Sequence, residues 1–94
     1  MPRSKLAMVA VVGSHEGPWS YVNGAKNIVV EVRGLGDVAG LDLEQHRGGD
    51  QVVETVPLNP GRNVVAVANC LRYRVVKTAP AHDSTPTTVE VFHG

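Results

Sequence analysis

The chain has 94 residues, no formal net charge from nine basic and nine acidic side chains, 43% hydrophobic residues and only 4% aromatic ones. That length holds one core, which in a domain of this size buries roughly 60–65% of the unfolded surface. A charge balance of zero supplies no overall field for phosphate backbones or anionic lipid, so neither nucleic acid nor membrane is an expected partner.

The chain opens on a basic arm over residues 1–5, with Arg3 and Lys5, ahead of Leu6-Ala7-Met8-Val9-Ala10-Val11-Val12. The polarity order is that of a secretory signal, but the apolar run is short and no small-x-small cleavage site precedes Pro18. It reads as a strand behind the arm. Trp19 and Tyr21 come next, two apart and so on one face of an extended segment. In so aromatic-poor a chain they are expected to cap the core. The alternative is a surface pair that binds sugar or a partner protein.

Asn23-Gly24 is the strongest turn signal, since both residues tolerate positive φ, and it predicts a tight hairpin. Ile28 to Arg33 predicts a strand with Ile28, Val30 and Val32 on one face. After Gly34-Leu35-Gly36-Asp37, the run Val38 to Gln45 alternates Leu41 and Leu43 with Asp42 and Glu44, as a strand wet on one side does. Gly48-Gly49-Asp50 reverses the chain. In the run from Val52 to Leu58 the inward face is left open by the pattern, and Pro57, which cannot donate to a ladder, predicts an edge position or a strand end.

Asn59-Pro60-Gly61 has the order of a type II turn. Arg62 to Lys77 is long for one strand and predicts two, or one bent by a bulge near Asn69-Cys70. Leu71, Tyr73 and Val75 alternate there with Arg72 and Arg74, which are expected to face solvent or an acidic partner surface, with Arg33 as a third member of a basic stripe. Residues 78–87, with Pro80 and His82, predict an exposed loop. Thr88 to Phe92 closes the sequence as a last strand. The whole predicts an all-β fold: a single antiparallel β-sandwich over residues 6–94, immunoglobulin-like or jelly-roll-like, with little or no helix.

Reactive constellations are not apparent. Gly34, Gly36 and Gly40 lack the following helix that a phosphate-binding loop needs. His15, His46, His82 and His93 have no paired spacing and read as loop histidines, so no metal or cofactor is expected. Ser14, His46 and Asp50 could be grouped as a triad, but no nucleophile elbow surrounds the serine. Asp42, Glu44, Asp50 and Glu54 read as the wet face of two strands and not as calcium ligands. Cys70, the single cysteine, cannot close an internal disulfide and reads as a small buried hydrophobe. The expectation is a protein that is not an enzyme. Because a small valine-rich core leaves little margin over the entropy of ordering the chain, support from further copies or a neighbouring subunit is expected as well.

Trp19-Ser20-Tyr21-Val22, Val29-Val30-Glu31-Val32-Arg33-Gly34, Leu41-Asp42-Leu43-Glu44-Gln45, Gly48-Gly49-Asp50 and Tyr73-Arg74-Val75-Val76, in that order, resemble the strands of small β-sandwich structural proteins of tailed bacteriophages. Asp50 follows the glycine pair where the pattern has it first, and the 78–87 loop is longer. The resemblance implies a capsid decoration (cement) protein or a small head or tail component, made in the host cytoplasm and carried on the virion surface. It would bind the major capsid protein or another virion protein, in many copies, with no catalytic residue to transfer. The interface residues expected on this reading are Arg3, Lys5, Trp19, Tyr21, Arg72, Arg74, Pro80 and His82. A carbohydrate- or receptor-binding module of a tail fibre or adhesin is the alternative, using Trp19 and Tyr21.

Overall fold

The structure is a computed structural model that describes residues 3–47, 52–67 and 70–93, and the side chains of Arg3, Val52 and Val53 fall outside that description. Nine strands run in chain order: β1 Arg3–Val11, β2 His15–Glu16, β3 Ser20–Tyr21, β4 Asn27–Arg33, β5 Gly40–His46, β6 Val52–Pro57, β7 Gly61–Ala66, β8 Arg72–Thr78 and β9 Thr87–His93. No helix occurs among the described residues. One sheet has the order β1-β9-β4-β7; the other has β2-β8-β5-β6, with β3 also pairing to β8. All pairings are antiparallel. The two sheets pack as a β-sandwich, a flat slab of 38 × 32 × 17 Å.

Period-two alternation builds each layer. Ile28, Val30 and Val32 of β4, Val89 and Val91 of β9, Leu41 and Leu43 of β5, and Tyr73 and Val75 of β8 face inward and are buried, with Met8, Val22, Leu58, Val65 and Val67 completing the core. In the β6 run, Val56 and Leu58 carry the inward phase, while Thr55 is exposed. β6 is an edge strand, where Pro57 costs no ladder bond.

Several local expectations need correction. β1 begins at Arg3, so residues 3–5 of the expected arm are in the ladder with β9, through Arg3↔His93, Ser4↔Phe92 and Lys5↔Val91. Asn23-Gly24 does form a tight turn, with φ of 52° and 80° and an Ala25 N–H to Val22 C=O bond of 3.2 Å. It joins β3 of one sheet to β4 of the other, so it is a crossover and not a hairpin. The local chemistry fixes the turn; which sheet each flank joins depends on distant partners. The 48–50 reversal and the bulge expected near Asn69 lie outside the described residues.

The 78–87 segment is not a free loop. Lys77 Nζ donates to Asp83 Oδ2 at 2.8 Å, to the Val11 carbonyl at 2.8 Å and to the Thr85 carbonyl at 3.1 Å. Asp83 also accepts the Gly13 N–H at 2.9 Å. Both charged side chains are fully buried, so the ion pair fastens the loop over the open end of the sandwich. Within it, His82 is exposed and Pro80 half-buried.

Candidate functional site

Two surfaces stand out. The first is the outer face of the β8 sheet. Tyr73, Val75 and Lys77 take the inward phase, so Arg72 and Arg74 must point outward, as the alternation predicts. They are not a free basic stripe. Trp19, held between the short strands β2 and β3, lies over both, with each guanidinium carbon 4.6 Å from the indole centroid. Its ring also rests on His46, centroid to centroid 5.4 Å. Arg74 is fixed on both sides, Nε to Glu44 at 2.7 Å and Nη1 to Glu16 at 2.8 Å. This Glu16–Arg74–Glu44 row spans β2, β8 and β5.

Trp19 therefore covers the outside of a sheet instead of capping the core, because residues 19 and 21 share the phase opposite to Ser20, which faces inward beside Tyr73. His46, expected in a solvent-facing loop, is the last residue of β5 and is buried beneath the indole. Arg33 belongs to β4 in the other sheet, where it meets Glu90 at 3.4 Å, so it cannot join Arg72 and Arg74. Cys70 is half-buried and donates to Gln45 Oε1 at 2.9 Å; burial pushes its thiol pKa up, which leaves it protonated and unreactive at neutral pH.

Replacing Trp19 by alanine should uncover both arginines and cost about 2 kcal/mol, from lost area and two cation–π contacts. Combined with Arg74→Gln, the loss should be less than the sum of the two single changes, which a double-mutant cycle by urea denaturation measures. Additive losses would mean that the stacked geometry contributes nothing.

Beside Trp19 is a groove of about 360 Å3, lined by Ser4, Lys5, Trp19, Ser20, Tyr21, Asn23 and His93. It forms where β1 and β9 of one sheet meet β3 of the other. Lys5 opposes the inward Val91, so its chain crosses toward the second sheet and Nζ donates to Ser20 Oγ at 2.7 Å. His93 opposes the inward Ile28 and its Nε2 is hydrogen-bonded to the Tyr73 hydroxyl. Tyr21, outward and 57% exposed, is the accessible aromatic surface. Of the groove residues, the sequence singles out Lys5, Trp19 and Tyr21; Ser4, Ser20, Asn23 and His93 join them through the fold. Pro80 and His82 lie in the clamped loop and do not line the groove.

Burial pushes the Tyr73 phenol up to about 12. The folded state holds the neutral form, so this group contributes stability below its ordinary value of 10.0 and loses it as pH rises from there through 12. Denaturation midpoints should fall across that alkaline window, and Tyr73→Phe should flatten the fall. An unchanged profile in the variant would assign it to other groups.

The second surface is the outer face of the β4 sheet. The row Ser4, Phe92, Val29, Val64 crosses β1, β9, β4 and β7. Val64 is 67% and nearby Leu6 53% exposed, with Phe92 and Val29 half-buried between them. Among the described residues, no three His, Cys, Asp or Glu side chains gather in a group that could hold a metal ion.

No protein-family model matches the sequence, and no curated protein matches it. Among solved structures, the crystal structure of the SPBc2 prophage-derived protein YomS superposes with a TM-score of 0.77, over 99% of this chain and 92% of that one. Sequence identity between the two is 11%. At that identity the likeness is one of fold. The strand arrangement described above thus recurs, nearly end to end, in a prophage-derived protein.

Proposed function

We propose that this chain is a non-catalytic structural component of a phage particle, a capsid decoration protein that sits in many copies on the major capsid protein and reinforces the shell by contact. The observation that carries the reading is the end-to-end fold likeness to a prophage-derived protein, supported by the order of β-motifs shared with small phage sandwich proteins. The flat shape and the apolar row from Phe92 to Val64 give a broad face suited to burial against a partner. At the edges β1, β7 and β6, backbone groups of a partner strand can add to the ladder without special side chains.

The test is composition of purified particles. On this reading the chain co-purifies with intact particles at a copy number near that of the shell protein. Its absence from them would refute the role. Because Arg74 is internally paired, the exposed positions Leu6 and Val64 are the better probes of attachment: Leu6→Glu with Val64→Glu should leave melting of the isolated chain within about 1 kcal/mol and strip it from particles.

The groove favours a second reading, a carbohydrate- or receptor-binding module of a fibre or adhesin. Since the indole of Trp19 is engaged by two arginines, Tyr21 is the aromatic available for a ligand. Indole fluorescence against a glycan panel separates the two roles.

A further inference from the structure

We infer that the groove between β1, β3 and β9 is a binding site for a carboxylate-bearing sugar, with the sugar ring on Tyr21 and the carboxylate on Lys5. The inference rests on the second reading, a carbohydrate-binding module, and deepens it by naming the ligand class; it is independent of the particle role.

Four observations converge on it. The volume of about 360 Å3 falls at the lower end of the roughly 300–1,000 Å3 usual for small-ligand sites. Among the lining residues, Ser20, Asn23 and His93 bring a hydroxyl, an amide and an imidazole, donors and acceptors of the kind that a sugar's hydroxyl groups use. Tyr21 adds a large exposed ring beside them, the flat surface on which the C–H face of a pyranose packs.

The charge decides the class. Among the described residues no carboxylate lies within ion-pair distance of Lys5, whose Nζ bonds only to Ser20 Oγ and keeps further donors for a ligand. Arg72, stacked on the adjoining Trp19, likewise has no carboxylate partner there, and its buried Nε has no hydrogen-bond partner. Among the described residues, then, Lys5 in the groove and Arg72 behind Trp19 lack a carboxylate partner, a local positive charge that an anion in the groove completes. The groove offers one flexible ammonium rather than a forked guanidinium clamp, and it has no helix N-terminus of the kind that takes phosphate. A single carboxylate fits that donor set.

The experiment titrates the full chain with a short oligogalacturonate, a neutral galactose oligomer of equal length and a sugar phosphate, read by Trp19 fluorescence and amide chemical shifts. Saturable binding of the oligogalacturonate is expected, with shifts at Tyr21, Asn23 and His93, and the neutral oligomer weaker by about tenfold or more, the worth of one charge-assisted hydrogen bond. Lys5→Gln and Tyr21→Ala should each lose about tenfold while melting as the parent does, and Arg62→Gln, which removes a charge from β7 at the opposite edge of the sheet from β1, should bind unchanged. Equal binding of the neutral oligomer, tighter binding of the sugar phosphate, no saturable binding of any of the three, or equal weakening by Arg62→Gln would each overturn the assignment. Particle occupancy of Lys5→Gln is a separate readout, so failure of the sugar site and failure of the decoration role are told apart.

Discussion

Replacing Lys77 by methionine is expected to destabilise the fold by about 3–5 kcal/mol, the usual result of removing one partner from a buried ion pair, and to lower Tm by roughly 12 °C or more. Methionine fills the aliphatic track of Lys77 but supplies none of its three donors. Asp83 then keeps a buried charge without its counter-ion, and the carbonyls of Val11 and Thr85 lose their partner. Thermal unfolding by circular dichroism measures the loss. A change below about 1 kcal/mol would mean that water serves these groups as well as the ammonium does.

The same pair sets the acid limit. The Lys77 ammonium, followed by the Gly13 N–H, holds the Asp83 carboxyl below its ordinary value of 3.8. A lowered folded-state pKa contributes stability that is complete above that ordinary value and is lost as pH falls below it through the folded value. Acid unfolding should therefore steepen below pH 3.8, and Asp83→Asn should flatten it while lowering stability at neutral pH. Identical acid profiles for parent and variant would contradict the assignment.

Gly34→Ala is the second large effect, expected at roughly 2–4 kcal/mol from a left-handed backbone and a forced displacement. Gly34 has φ +76°, and a Cβ there would sit 2.1 Å from the Pro86 carbonyl oxygen. The neighbour is backbone of the clamped loop and cannot swing aside. Thr87 Oγ1 also donates to the Gly34 carbonyl at 3.1 Å, so displacing Gly34 disturbs the start of β9 as well. Gly40→Ala is the control, since a Cβ at that position meets nothing within 4 Å. Comparable losses at the two positions would refute the steric argument.

The strands were legible because burial follows a period of two. Ile28, Val30, Val32, Leu41, Leu43, Tyr73 and Val75 announce their inward faces in the order of the chain. The pairing of β1 with β9, ninety residues away at its Arg3↔His93 start, is not written in any local pattern. That pairing builds the groove, so Ser4, Ser20 and His93 could not be assembled from sequence. The scarcity of aromatics makes Trp19 an expected cap on the core, but phase decides for the alternative, a surface position: residue 20 pairs with inward Tyr73, which leaves 19 outward. Lys77 was the most readable of the missed residues. It continues the inward phase of Tyr73 and Val75, and a lysine at such a position requires a buried acid, which the loop supplies as Asp83. The loop looked exposed because one ion pair, and no apolar period, holds it down.

The central claim, that this protein works by covering a phage shell and reinforcing it, is tested most directly by reconstitution. Shells purified without the chain are mixed with increasing amounts of it, and bound copies and shell melting temperature are measured together. The account predicts saturable binding at a fixed number of sites per shell subunit and a melting temperature that rises in step with occupancy. Binding that never saturates, or full occupancy with no gain in shell stability, would contradict it.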